Sequence, residues 1–331
     1  MGMSKVTVLM PVYNAEKYIA EAIESILCQS LSDFEFLIVD DGSTDKSAEI
    51  IHSYTDSRIR FVQNQQNMGI AATLNKGIYL ASASYIARMD ADDISYPNRL
   101  LRQYTYLQQY PDCSLVGART ATISEAGRFL WKDDLPGECT YYNLTFFCSI
   151  YHPTVMFRKE TVMEAGMYIL PYAEDYELWC RLSRKNKLHV LPEVLLDYRL
   201  SSKSTSNQVK KEEYNQTELT QILNNLRYFA GDDYTLPDSY LECFRFNYAP
   251  LLAEQNVRSI ADCMAKLQLL TNHIIAKENV NRDRSAIIHA AKLKWKKTLS
   301  YFLKKLPLHK AIFLLIYVTA GRLVYTLKIR N

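Results

Sequence analysis

From Lys5 to Val12 the chain is a short apolar run rich in β-branched residues, which predicts a buried strand. The period then changes: Ala15, Tyr18, Ile19, Ala22, Ile23 and Ile26 share one face of a helix running to Leu27. Phe34 to Val39 repeats the strand signal, and Ser43, Thr44 and Asp45 are candidate caps for a helix through Ile51. Ile59 to Val62 predicts a third strand, Ala71 to Leu80 a helix, and Tyr85 to Met89 a fourth strand. Strand and helix in alternation imply a parallel sheet with right-handed crossovers.

After Pro97 the pattern predicts a helix to about Tyr110, then a less regular stretch with a turn at Glu125-Ala126-Gly127. A helix follows between Pro171 and Arg184, and Lys187 to Arg199 reads as two short strands broken at Pro192. Ser201 to Gln208 is rich in Ser and reads as a linker. Beyond it the pattern is helical, and no internal repeat occurs. The tail divides at Pro307. Trp295, Leu299, Phe302, Leu303 and Leu306 fall on one helical face, with Lys292, Lys296, Lys297, Lys304 and Lys305 around much of the rest. Such a basic amphipathic helix suits a membrane surface; a helix packed on the body with a solvated Lys face is the alternative. Ala311 to Gly321 is uncharged, but these 11 residues fall short of the roughly 20 that span a bilayer.

Charge sharpens that picture. The 331 residues hold 39 Lys and Arg against 36 Asp and Glu, a net charge of +3, yet no acid follows Asp283. An acidic body therefore carries a basic tail, which points to an anionic partner. No base-stacking aromatic array accompanies the lysines, which argues against nucleic acid. Cys28, Cys113, Cys139, Cys148, Cys180, Cys243 and Cys263 form an odd set without a C-x-x-C pair, so reduced thiols in a cytosolic protein are expected. Met1 to Lys5 runs into the first strand without the apolar core of a secretory signal, and Val6 stands where a myristoylation signal needs Ser or Thr.

The candidate chemistry lies at strand ends: Pro11-Val12-Tyr13-Asn14, Asp40-Asp41-Gly42-Ser43 and Asp90-Ala91-Asp92-Asp93. With strand order 3-2-1-4 all three line one cleft at the carboxyl edge, where open parallel sheets bind ligands. The turn after the first strand has no glycine for a dinucleotide fingerprint, and no Walker loop occurs. A diphosphate could still bind through a divalent cation, for which Asp90 and Asp92 offer the hard oxygens that Mg2+ or Mn2+ prefers. Paired Asp residues after a strand also serve as helix caps, so the D-x-D pair alone leaves both readings open.

Several segments carry a resemblance: Val6 to Asn14, Val39 to Asp45, Asn67-Met68-Gly69 with Asn75-Lys76-Gly77, Ala87 to Asp93, and Pro97 to Leu100. His152 to Arg158 and Ala173 to Trp179 continue it. Together they resemble the family 2 glycosyltransferases of GT-A fold, over about residues 4 to 206 and in the family's order. Within the family the chain is most similar to bacterial β-1,3 hexosyl- and N-acetylhexosaminyltransferases that build lipooligosaccharide, capsule or O-antigen. The resemblance implies an α/β, Rossmann-like, mostly parallel sheet with a C-terminal helical appendage. It implies a nucleotide-sugar half at 1–110, an acceptor half at 111–206 and a helical region at 207–331. It also implies that Asp41 contacts the nucleobase beside the backbone near Pro11 and Tyr13, that Asp90 lies by the ribose and that Asp92 binds Mg2+ or Mn2+. Asp175 would be the general base, with His152, Glu174 and Trp179 on the acceptor side; His152 before Pro153 reads equally as structural.

The implied reaction is inverting transfer from a nucleotide-diphosphate sugar, UDP-linked by expectation, to a surface glycan on a lipid carrier. Its expected place is the cytoplasmic face of the inner membrane. Two departures matter: Ser201 stands where many relatives have His, and the resemblance is weakest from Leu115 to Ile150, where specificity is expected. A nucleotidyltransferase would want a Gly-rich basic loop that Pro11 to Lys17 does not supply, and intact Asp92 and Asp175 argue against a silent binding partner.

Overall fold

The computed structural model describes residues 4–201 and 211–328. All but Ser201 of the expected linker lies outside the described residues. The first half follows the alternation: β1 (Val6–Val12), α1 (Ile19–Leu27), β2 (Phe34–Asp40), α2 (Ser47–His52), β3 (Ile59–Gln63), α3 (Ile70–Leu80) and β4 (Tyr85–Arg88). Ile19, Ala22, Ile23 and Ile26 are fully buried, as one apolar face of α1 requires. Every residue of β1 is buried, the mark of a central strand covered on both sides. Gly77 lets α3 lie on β1, since a Cβ there would meet Leu9 Cδ1 at 2.2 Å.

The chain continues through β5 (Ile94–Ser95), α4 (Arg99–Gln109), β6 (Cys113–Ile123), β7 (Phe129–Lys132), α5 (Thr140–Leu144), β8 (Met156–Arg158), α6 (Lys159–Glu164), α7 (Glu174–Ser183) and β9 (Lys187–Arg199). The strands form one sheet in the order β3-β2-β1-β4-β8-β6-β9-β5, with β7 paired to β6. The expected 3-2-1-4 order is present. β1 pairs parallel with β2 and β4, and β2 with β3; beyond β4 the sheet is mixed, since β8 runs antiparallel to β4 and β6, and β5 to β9.

Two expectations need correction. The less regular stretch after Tyr110 is the long strand β6, which β9 flanks in parallel. Lys187 to Arg199 is one strand and not two: the register passes from Ala118↔Leu191 to Arg119↔Val194, so Pro192 and Glu193 bulge out and the ladder resumes. A proline without an N–H is tolerated there because a bulged residue leaves the ladder anyway.

The chain forms two compact units, one from residues 1–140 and 148–215, the other from 141–147 and 216–331. The second holds most of α8 (Lys211–Ala230), then α9 (Asp238–Phe244), α10 (Ala249–Ala253), α11 (Val257–Ala276), α12 (Arg284–Lys305) and α13 (Leu308–Lys328). Its core includes Tyr142 and Phe146 from the borrowed segment, packed with Phe244 and Thr271. On the apolar face expected for α12, Phe302 and Leu306 are buried and Trp295, Leu299 and Leu303 half-buried. Its buried side is Ile287, Ala290, Lys294, Thr298 and Phe302, and Leu306 is buried too. The five lysines expected on its polar side are exposed. The exposed apolar surface belongs to α13, through Leu308, Ile312, Phe313, Leu315 and Ile316.

Candidate active site

The turns after β1 and β2 are sewn together. Asn14, at φ 51°, accepts from Thr44 N at 2.8 Å and donates its own N–H to Ser43 Oγ at 2.9 Å. Asp40 is fully buried and accepts from Ser43 N and Gln63 Nε2. Gly42, at φ 72°, passes so close to Gln66 that a Cβ would lie 2.8 Å from its carbonyl carbon. Pro11 is buried inside β1, and Tyr13 stands 51% exposed at the strand's end. Asp41 is nearly enclosed. Asn64 Nδ2 at 2.7 Å and Met68 N at 2.9 Å donate to its Oδ1, and Gly69 N at 2.9 Å to its Oδ2. Asp41 thus holds the loop that leads into α3, and Lys76 of α3 donates to Asn64 Oδ1 at 2.6 Å.

At the end of β4, carboxylate oxygens of Asp90, Asp92 and Asp93 lie within 4.8 Å of one another. Burial, then the charge of Asp90, pushes the Asp92 carboxyl up to about 7. Asp93 is raised for the same reasons, and its buried Oδ2 has no hydrogen-bond partner among the described residues. Three crowded hard-oxygen ligands, one of them orphaned, fit a divalent cation, whose charge would relieve the repulsion.

Two arginines that sequence reasoning passed over hold this cluster. Arg88 is buried and ion-paired with Asp90; burial works against its charge, but the Asp90 carboxylate prevails and raises its pKa. Arg199 donates from its backbone to Asp93 Oδ1 and from Nε to Asp92 O, both at 2.8 Å, and it also pairs with Glu21. A third, Arg99, is fully buried beneath them and donates to Arg88 O and Pro153 O. A signal for Arg88 existed in the sequence, a lone cation just before the aspartates at a strand end.

α7 begins at Glu174, after Ala173 in a left-handed conformation at φ 50°. Asp175 Oδ1 accepts from Tyr176 N at 2.7 Å, and Cys148 Sγ lies 3.6 Å from Oδ2. Burial raises its pKa; the Tyr176 N–H, the Arg88 charge and the Cys148 thiol pull the other way. Glu174 is pushed up to about 8 by burial and by Asp175. His152 faces Glu174 through Nδ1 at 3.6 Å and Tyr168 Oη through Nε2 at 2.8 Å. Burial drives its pKa well down, so the ring is neutral. Tyr168 is held by Asn75 of α3 through hydrogen bonds in both directions. Trp179, expected on the acceptor side, is fully buried, with its ring edge against His152 at 5.7 Å.

The two halves of the expected site are brought together. Arg88 acts electrostatically on Asp90, Asp92, Glu174 and Asp175, and Asp90 acts on Glu174. Ser201 is half-buried, just beyond Leu200, whose N–H bonds Ile123 O at 2.9 Å.

The model described as glycosyl transferase family 2 matches residues 7–162. An uncharacterised glycosyltransferase of Haemophilus influenzae is 33% identical over 241 residues, covering 68% of this chain and 74% of its own. The Escherichia coli protein WfgD, named a UDP-Glc:alpha-D-GlcNAc-diphosphoundecaprenol beta-1,3-glucosyltransferase, is 30% identical over 209 residues, 62% of this chain and 81% of its own. Among solved structures, S. aureus TarS 1–349 in complex with UDP-GlcNAc superposes with a TM-score of 0.58 at 17% identity, covering 91% of this chain and 92% of its own. That last likeness is one of fold. With its mixed sheet, strand-end aspartates and these relatives, the chain belongs to glycosyl transferase family 2 and has the GT-A fold.

Proposed function

We propose that the protein is an inverting transferase that moves a hexose or N-acetylhexosamine from a UDP-linked donor to a hydroxyl of a growing bacterial surface glycan carried on a lipid. The observation that carries this is the gathering of Asp90, Asp92, Asp93, Glu174 and Asp175 around Arg88. The names of WfgD and TarS support the donor class and, for WfgD, a lipid-diphosphate acceptor.

In this reading Asp92, with Asp90 and Asp93, would hold Mg2+ or Mn2+, which supplies charge neutralisation for the diphosphate leaving group. Asp175 takes the proton of the acceptor hydroxyl as its oxygen attacks C1 opposite the departing diphosphate, which inverts that carbon. A carboxylate raised toward neutrality is a stronger base than an ordinary one. Glu174 keeps its proton at pH 7, so a second anion does not oppose ionisation of Asp175. Tyr13 is the exposed ring available to the nucleobase, while Asp41 shapes the loop beside it. The exposed apolar side of α13 and the lysines of α12 support attachment to the cytoplasmic face of an anionic membrane.

The test is a panel of UDP-, GDP- and dTDP-sugars with purified protein, read as metal-dependent thermal stabilisation and slow donor hydrolysis. One UDP-sugar should stand out with Mn2+ or Mg2+, and EDTA should abolish the effect. No response to any donor would overturn the reading.

A further inference from the structure

The edge strand β7 presents an unusual surface: Phe129, Leu130 and Trp131 are 65%, 44% and 50% exposed, and Lys132 beside them is exposed too. Among the described residues β7 pairs only with β6, and no strand pairs with its outer edge. Edge strands are ordinarily blunted by charge, and exposed aromatics on one call for an occupant.

The position of the hairpin says which occupant. β6, β4 and β9 point the same way in the sheet, so Ile123, Arg88 and Arg199 end at one edge, the edge of the aspartate cluster. Arg199 joins the two: it donates to Asp92 O at 2.8 Å and to Glu125 O at 3.1 Å, and Glu125 sits in the hairpin turn. Lys17 holds the same Glu125 by an ion pair of 3.3 Å. Register also aligns the rings. Trp131 pairs with Thr122, and Thr122 with Tyr198. Directly paired residues project from the same face. Tyr198 feels the charges of Asp93, Asp90 and Asp92. Two strand spacings, about 10 Å, separate β9 from β7. A bulge at Thr122/Ile123 turns the start of β7, a device common beside active sites.

We propose that β7 is an acceptor subsite, in which Trp131 stacks against a pyranose ring of the acceptor glycan set back from the reacting sugar. The C–H-rich face of a pyranose is apolar and matches an aromatic face, while its edge hydroxyls stay in water. This rests on the proposed glycan acceptor and adds where the second sugar lies. It also falls inside the 115–150 stretch in which specificity was expected.

The test uses an array of synthetic bacterial-surface oligosaccharides probed with the full chain, Trp131→Ala and Trp131→Phe. UDP binding in Mn2+ is measured in parallel by calorimetry. Wild type should retain a subset of glycans, Trp131→Ala should lose about tenfold in affinity for that subset, and Trp131→Phe should recover most of it, with UDP binding equal in all three. Equal glycan retention by wild type and Trp131→Ala overturns the subsite, as does no retention by wild type. So does a loss confined to vesicle binding or to self-association, measured on the same variants by flotation and sedimentation. Failure of UDP binding by wild type would instead strike the donor reading and leave the glycan comparison interpretable.

Discussion

As the proposed base Asp175 has to be ionised, yet burial holds its pKa above the ordinary carboxylate range. Activity should therefore rise with pH through that raised value, because only the deprotonated form works. Asp175→Asn removes the proton affinity and keeps the shape, so kcat should fall by about 10²- to 10⁴-fold while donor binding persists. The Cys148 thiol helps hold the carboxylate ionised. Cys148→Ala should move the acid limb of the kcat/KM profile to higher pH, and an unmoved limb would remove that role. Asp40-Asp41 and Asp90 to Asp93 are legible in the sequence because each cluster is contiguous and follows a strand. Their supports are not: Arg199 reaches Asp92 across 107 residues and Asn75 reaches Tyr168 across 93, and no local pattern encodes such pairs.

At the scale of elements, α12 buries a lysine that its periodicity does not single out. A helix that alternates Lys and Leu invites the reading that every Lys is solvated, but Lys294 lies at the centre of the buried side, 3% exposed. Its ammonium donates to Phe244 O and sits 3.9 Å from the Phe246 ring centroid, with Phe146 and Phe147 at 4.9 and 5.0 Å. Burial lowers its pKa from 10.5 to about 7, although the rings favour the cation and offset part of that cost. Between those values the unfolded chain holds the proton that the folded one has released, so stability rises with pH from about 7 toward 10.5. Lys294→Met should raise stability by about 1 kcal/mol at pH 7 and below. That advantage should shrink as pH climbs toward 10.5, and urea titrations at several pH values read it directly. β9 was misread for a related reason. Pro192 breaks a strand by local rules, but the long partner β6 carries the ladder across the bulge.

For the whole molecule, the uneven charge is what sequence alone conveys best: 11 basic residues and no acid from Arg284 to the end. It identifies the kind of surface sought but not the helix that meets it. The sequence favours α12, whose apolar positions are long and regular; in the structure Phe302 and Leu306 are buried and Trp295, Leu299 and Leu303 half-buried, while α13 exposes the larger apolar side. The lysines of α12 and the apolar side of α13 then have separable effects. Long-range attraction of lysines to anionic lipid is screened by salt, whereas insertion of Ile312, Phe313 and Ile316 is not. Vesicles of phosphatidylethanolamine and phosphatidylglycerol should float the wild-type chain, with 0.5 M salt, roughly a 4 Å screening length, weakening but not abolishing it. The triple change Ile312→Ser, Phe313→Ser and Ile316→Ser should abolish flotation in high salt and reduce it in low salt. Transfer to a soluble acceptor analogue should survive, because every residue assigned to the chemistry lies in the first compact unit. If the triple variant floats like wild type, α13 does not enter lipid; if neither floats, the membrane assignment itself fails and the apolar side of α13 awaits a protein partner.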